Sequence, residues 1–491
     1  MQFLKTRRGT PAYKWWVLSC TSLGMLLATI NSGTLIIALP DLERSLHTTL
    51  LQLVWVILAY MIVSTVLVLT AGRLSDLFGR KTAYVLGFVL FAAASLGAGF
   101  ATGGTSLILW RILQGVGGAF LFANAAALVT DAFPRRQLGL AMGTNTMVAA
   151  IGLVAGPVLG GALVTISWQW VFWFNVPFGL LGGLWGALVL EERSGRSSER
   201  GLDVAGVLAY VTGLTGLVLA LSQGGLGGWT DPLVVYGFAA AIVFLPAFVL
   251  IERRSRSPML DLSLFHDRMF SAASIAAFMN GLARFALMFL FVFYFQGPQG
   301  ASPILAGLEL APMAAGLLIA SPLAGFAADR HGSRGLAAAG MLVTALGLGG
   351  MTTLGAHSPY WQSAVWLTLV GIGSGMFNSP NTAAMMGAVP VHRRGIAAGA
   401  RMMLQNTGAV LSIAFVMAII TSAVPKDVLF KIFSGLTSGL SEDKLQPFIA
   451  NMHLALWVLT AVSIAGAGIS MLRPAHAKLD TARESAPEPA R

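Results

Sequence analysis

Charge is scarce in this 491-residue chain: Asp, Glu, Lys and Arg make up 10% of it, against 56% hydrophobic residues. That leaves too little polar surface for a water-soluble protein of this length, so its solvent is largely lipid. Cysteine is nearly absent. The single Cys20 excludes a disulfide within the chain and says nothing of the redox compartment. The seven histidines are scattered without paired metal spacing, and no Gly-x4-Gly-Lys-Ser/Thr phosphate loop occurs. No metal, cofactor or enzymatic constellation is therefore expected, and an ion gradient rather than ATP is the implied energy source. The short alternating segments of a membrane barrel are missing too.

What the chain has instead is a series of apolar runs near the roughly 20 residues that a helix needs to cross about 30 Å of hydrocarbon. Backbone groups in lipid must be satisfied within their own segment, so helices are the expected form. Fourteen spans are predicted, at 15–39, 52–72, 82–101, 106–130, 139–165, 170–190, 203–222, 233–251, 271–295, 303–328, 336–356, 361–389, 397–423 and 450–472. The first follows Lys5, Arg7, Arg8 and Lys14 and lacks a small-residue cleavage site, so it reads as an uncleaved span rather than a signal peptide.

The net charge of +11 is distributed to one side. With the N-terminus in the cytoplasm, the inner side collects Arg73, Arg80, Lys81, Arg135, Arg136, Arg193, Arg196, Arg200, Arg253, Arg254, Arg256, Arg268, Arg330, Arg334, Arg393 and Arg394. The outer side keeps Arg44, Lys426, Lys431 and Lys444. This positive-inside bias predicts a multi-pass protein of the plasma (inner) membrane with both termini cytoplasmic. No soluble basic face is left to read nucleic acid.

Polar linkers follow span 6 (191–201) and span 8 (252–268), so spans 7 and 8 read as an inserted pair. A repeat supports this. Gly72, Asp76 and Gly79 after span 2, followed by Arg80 and Lys81, share their Gly-x3-Asp-x2-Gly spacing with Gly325, Asp329 and Gly332 after span 10, where Arg330 and Arg334 supply the base. The chain parses as an N-terminal six-helix bundle (1–190), linkers with helices 7 and 8 (191–268), a C-terminal six-helix bundle (269–472) and a disordered cytoplasmic tail (473–491). Between 424 and 451, Leu445, Phe448 and Ile449 behind Ser441 fit either a short interfacial helix or a plain ordered loop.

In the first copy of the repeat, Gly72 is expected to allow close helix approach, Asp76 to accept hydrogen bonds from a helix start or an arginine, and Gly79 to permit reversal into span 3. Such a charge latch can hold the cytoplasmic face shut in one state. The segment resembles the loop between spans 2 and 3 of the major facilitator superfamily. In span 4, Arg111 among apolar residues must face the interior, because a lipid-facing arginine is costly. Its run, Leu107 to Gly118, resembles the superfamily's span-4 motif, which implies a part in proton movement; pairing with Gln114 is the structural alternative. In span 5, which carries Gly143, Gly152, Gly156, Pro157, Gly160 and Gly161, glycines every four residues line one helix face and Pro157 allows a bend. Their spacing resembles the motif of the superfamily's antiporters. With the aromatic belt from Trp168 to Phe178, and Ala38-Leu39-Pro40 taken as the end of span 1, the chain resembles the fourteen-span drug:proton antiporters over residues 15–472.

One departure matters. Where that group carries an aspartate in span 1, this chain has Asn31, which cannot titrate. Among the acids, Asp76, Asp131, Asp203 and Asp329 fall near the inner surface and Asp41, Glu43 and Asp231 near the outer one; Glu309 alone reads as lying within a helix, coupling or merely interfacial. Asn280 is the second-half counterpart of Asn31, with Arg284 a second intramembrane cation. Coupling candidates are thus Arg111, Glu309 and Arg284. Cavity candidates are Asn31, Trp55, Tyr60, Asn124, Asn145, Asn280, Tyr294 and Asn378, each alternatively a packing residue. The expectation is a monomeric, proton-coupled exporter of small hydrophobic or amphipathic substrates. A uniporter or lipid-handling transporter with altered coupling, and a non-transporting receptor, are the competing readings.

Overall fold

Apolar length organises the chain into helices laid side by side. The computed structural model describes residues 12–134, 137–192, 203–255, 258–389, 394–433 and 442–474. Lys5, Arg7, Arg8, Arg135, Arg136, Arg193, Arg196, Arg200, Arg256, Arg393, Ser441 and the tail after Pro474 lie outside the described residues.

The first bundle comprises α1 (Tyr13–Leu46), α2 (Leu50–Phe78), α3 (Arg80–Ala98), α4 (Gly104–Ala132), α5 (Leu138–Val164) and a span in two pieces, α6 (Trp170–Trp173) and α7 (Asn175–Val189). Next come α8 (Val204–Gly227), α9 (Pro232–Arg254) and a 3-10 turn at Leu262–His266. The second bundle holds α10 (Arg268–Gln296), the two-piece α11 (Pro303–Glu309) and α12 (Ala311–His331), α13 (Ser333–Met351), α14 (Tyr360–Gly387), α15 (Arg394–Ala423), the short α16 (Lys426–Phe433) and α17 (Glu442–Met471). No strand occurs among the described residues. Among the described residues, twelve spans are long and apolar enough to cross a membrane. With α5 and α14, at 27 and 28 residues, every predicted span meets a helix of membrane length. Leu184, Ile242, Ile319 and Leu323 are exposed on the perimeter, where lipid accepts what water would penalise.

Hydrogen bonds sort the two ends. Lys14 donates to Gln137 (2.6 Å), the Glu191 amide to the Tyr13 hydroxyl (3.2 Å) and Arg73 to the Pro258 carbonyl (3.0 Å), which gathers the arginine-rich turns at one end, here the basic end. At the opposite, far end Gln52 donates to Thr105 and Tyr294 to the Gly355 carbonyl.

Two expectations about the far end change. Span 1 does not stop at Pro40: α1 continues to Leu46. Proline removes only its own bond to the carbonyl four residues earlier, and its fixed φ is helical, so an apolar helix can run through it. Nor do Leu445, Phe448 and Ile449 lie on the membrane surface; they are buried in the first turns of α17, which begins earlier than predicted and tolerates Pro447. The separate amphipathic helix is α16, which buries Val428, Leu429 and Ile432.

The glycines of the repeat behave alike. Gly79 (φ 106°) and Gly332 (φ 84°) each end one helix and start the next in a conformation that side chains resist, and each donates its N–H back, to Ser75 and Ala328. Gly72 differs from expectation: a Cβ there would sit 3.8 Å from the Ala123 methyl, an ordinary contact, so no close approach depends on it. The span-5 face is crowded instead. A Cβ on Gly156 would lie 2.9 Å from the Cα of Gly33, and one on Gly160 2.6 Å from that of Thr34, both in α1. On the next face, Gly161 meets Pro303 and Ile304 at 2.6 Å, and Gly307 meets the Pro157 carbonyl at 2.5 Å. Thus α5 touches the backbone of both bundles at the far end. Gly143 shares the helix, its surroundings outside the described residues.

The inserted α8 packs on α2 and α15, covering the seam between bundles, with the Tyr210 hydroxyl on Thr407. Asp231 joins the hairpin, accepting from Gln223 (2.9 Å) and the Leu233 amide (2.8 Å), bonds that hold its carboxyl below the usual range.

Replacing Gly79 with alanine should cost about 1–2 kcal/mol of stability through its positive φ, whereas Gly72→Ala should cost far less. Thermal unfolding of the two purified variants in detergent checks this, and equal losses would refute the distinction.

Candidate functional site

The middle of the first bundle holds a chain of polar groups from five helices. Arg111 on α4 is 1% exposed. Its Nε donates to the Val56 carbonyl (2.9 Å), its Nη1 to Gln114 Oε1, and its guanidinium lies 4.4 Å from the Tyr60 ring centroid. Since Gln114 spends its oxygen on the arginine, its amide nitrogen points the other way, to Ser95 Oγ (2.7 Å) and Asn31 Oδ1 (3.1 Å). Asn175 at the start of α7 also donates to Asn31 Oδ1 (3.4 Å). Asn31 is therefore held with its oxygen toward two donors, and its own Nδ2 is buried without a partner. A carboxylate at this position would accept from both donors and leave no N–H unsatisfied. The network is shaped for an acceptor, and asparagine fills it at the cost of one orphaned donor.

This places Arg111, Gln114, Asn31 and Tyr60 together, but as a packed core. Trp55 is half-buried against the apolar core. The other cavity candidates of the first bundle bond locally: Asn124 donates to the Phe120 carbonyl within its own helix (2.8 Å), and Asn145 ties α5 to Thr21 and Ser22 of α1. Tyr294 is buried, its hydroxyl donating to the Gly355 carbonyl and accepting from Gln299 at the far end.

In the second bundle, Asn280 and Arg284 stand one turn apart on α10. Asn280 is fully buried with neither side-chain atom bonded, and Arg284, 7% exposed, stacks on Phe285 at 4.7 Å with Nε unsatisfied. Asn378 accepts from Gln405 (3.3 Å), which in turn accepts from Arg401 (2.9 Å). Arg473, expected in the tail, is buried and donates to Asn381 and Ser470. Among the described residues, none of Arg111, Arg284 and Arg401 makes an ion pair.

The basic end carries the ion pairs expected to form a latch. Arg80 Nε meets Asp76 Oδ1 at 2.9 Å and its Nη1 meets Asp131 Oδ2 at 2.7 Å, with Lys81 half-buried beside it. One guanidinium so clamps the ends of α2, α3 and α4, all within the first bundle. The reach beyond it comes from Arg73, through the Pro258 carbonyl of the segment between α9 and α10. In the second copy Arg330 lies 4.4 Å over the Phe326 ring, and the side chain of Asp329 lies outside the described residues.

Glu309 sits where α11 breaks into α12. It is half-buried, and its Oε2 has no hydrogen-bond partner. Glu43, assigned to the outer surface while α1 was taken to end at Pro40, is the more deeply buried acid at 2% exposure. Ser95, Asn175 and Asp131 were also passed over as site residues, although two polar residues on apolar helices and an acid closing span 4 were signals in the sequence. A far-end cleft of about 670 Å³, lined by Asp41, Ser45, Thr102 and Trp168 among others, includes none of the buried polar groups.

Two lipid-embedded helical bundles, each with arginine and amide side chains sunk in its middle, make a membrane transporter and not an enzyme. The chain belongs to the Major Facilitator Superfamily, whose family model matches residues 21–251 and 273–478. It is 34% identical over 385 residues to the multidrug resistance protein Stp of Mycobacterium tuberculosis, covering 78% of this chain and 71% of that protein. It is 29% identical over 418 residues to the tetracenomycin C resistance and export protein of Streptomyces glaucescens, covering 85% and 77%. A solved bacterial homologue of the human lysosomal transporter Spinster shares the fold with a TM-score of 0.68 at 15% identity, over 95% of this chain and 98% of that one.

Removing the charge of the latch by Asp76→Asn should slow turnover about fivefold, the worth of roughly 1 kcal/mol between states, with little change in substrate affinity. Initial transport rates beside equilibrium binding test this; unchanged turnover would sink the latch.

Proposed function

We propose that this protein is a proton-coupled exporter of hydrophobic or amphipathic small molecules, working as a monomer in the plasma membrane with both termini cytoplasmic. Its working units are the bundles 1–190 and 269–472, with 191–268 carrying the inserted pair. The observation that carries the reading is the contact of α5 with both bundles at the far end. Between the bundles backbone lies on backbone at Gly161 and Gly307, a smooth surface on which one bundle can rock against the other with few side chains to repack, while Gly156 and Gly160 hold α5 to α1. The printed functions of the two relatives, resistance and export, point the same way.

Rocking alternates access to the space between the polar cores. The latch at Arg80 keeps the basic ends of α2, α3 and α4 moving as one body. Arg111 and Arg284, without carboxylates beside them, give the space a neutral or positive field that favours neutral or anionic amphiphiles over lipophilic cations. A second reading, a uniporter or lipid-handling transporter, is favoured by Asn31, which puts a neutral amide at the acceptor position of the Arg111 network.

Reconstituted protein decides between them. Export predicts substrate-dependent proton movement under an imposed pH gradient, and its absence would leave the uniporter. Asn31→Asp should be accommodated by the Gln114 and Asn175 donors and add or strengthen pH dependence of transport; a variant with an unaltered pH profile would refute a titratable role for the position.

A further inference from the structure

Glu43 is a buried carboxylate to which the fold gives no hydrogen bond. It is 2% exposed, and neither Oε1 nor Oε2 has a hydrogen-bond partner. It shares a helix face with Ser32, Ile36 and Pro40, spaced four, four and three residues apart. Nearby, the halves meet: Gln296 of α10 donates to the Ile37 carbonyl (3.4 Å), and α11 and α16 of the second bundle both pack on α1. Glu43 lies less than two turns beyond Ile37, on the helix that these second-bundle elements contact.

The charged groups around it are few. On its own helix, Arg44 pairs with Asp41 at 3.8 Å and its charge also acts on Glu43, and His47 stands one turn further on at the helix cap. Of the elements packed on α1, α11 brings Glu309 and α16 brings the exposed Lys431, together with Lys426 and Asp427, whose side chains lie outside the described residues. The far ends of α2, α4, α5, α6 and α10 bring no charge. A buried ionised carboxylate with no hydrogen bond is more costly than the neutral acid, so a buried Glu43 favours the protonated form.

We propose that Glu43 is a proton-binding site of the far-end gate: it ionises when the bundles part there and must carry a proton for them to close. The step is one protonation. Hydronium on the far side gives its proton to a carboxylate oxygen and leaves as water; an O–H bond forms and no other bond changes. Closing the gate is then linked to uptake of one proton from that side, a role that Asn31 cannot fill. The inference rests on the transporter reading above and adds the group that senses the gradient.

The test uses the full chain in liposomes with Cys20→Ser and spin labels on Ser45→Cys and Trp361→Cys, exposed far-end sites on opposite bundles. As pH is raised between about 5 and 9, the open-to-closed ratio from label distances should rise by up to about tenfold per unit where Glu43 titrates. Glu43→Gln should stay closed with the slope lost, and Glu43→Asp should keep a slope. A wild-type slope in Glu43→Gln overturns the proposal. If that variant does not fold, the labelled parent still decides, because a parent with no slope overturns it too. Proton flux is read separately: a gate slope lost in Glu43→Gln, without substrate-coupled flux in the parent, refutes the exporter reading and leaves the gate standing. Flux with a slope that survives Glu43→Gln does the reverse.

Discussion

Backbone contact along α5 is the constraint on which the arrangement of the other helices turns. In lipid there is no hydrophobic force to press one helix on another, so close approach has to come from small residues and the dispersion contacts they permit. Gly156 and Gly160 bring α5 onto α1, and Gly161 with Gly307 brings the same helix onto α11 across the seam. Because one helix serves both bundles, a shift of either is felt at the other. That contact joins the two bundles at the far end.

A second constraint is the handling of charge away from water. Arg111 survives burial because its donors are spent on the Val56 carbonyl and Gln114 and its face on Tyr60. The direction of each hydrogen bond then passes along Gln114 to Asn31, so the identity of one residue in α1 is felt at the arginine. Arg284 and Asn280 lack such satisfaction. Groups left with unmet hydrogen-bonding capacity in a transporter's middle are where a solute or a second conformation supplies the missing partner.

Much of the fold was legible. Apolar run lengths placed every span, and the Gly-x3-Asp-x2-Gly repeat pointed to two turns whose glycines share a positive φ. Legibility failed where a local rule met a lipid context. Pro40 read as a helix end, yet in hydrocarbon a helix that stops exposes backbone, while one that continues loses a single bond; the helix continues, and Glu43 moves from loop to interior. Leu445 and Phe448, which fitted either an interfacial helix or a plain loop, are buried in the first turns of α17. At the site, Arg111 with Gln114 was visible from spacing on one helix. Ser95 and Asn175 come from other helices, and no spacing along a chain reports what lies across a bundle.

The sequence by itself determined that this is a helical membrane transporter, since composition, run length and motif spacing are local properties that no packing can alter. Only the tertiary structure decided which polar groups meet. It gave Asn31 two donors, kept the Arg80 ion pairs within one bundle and left Glu43 without a hydrogen bond. Those outcomes depend on distances between segments far apart in the chain, set by where glycine lets two backbones touch.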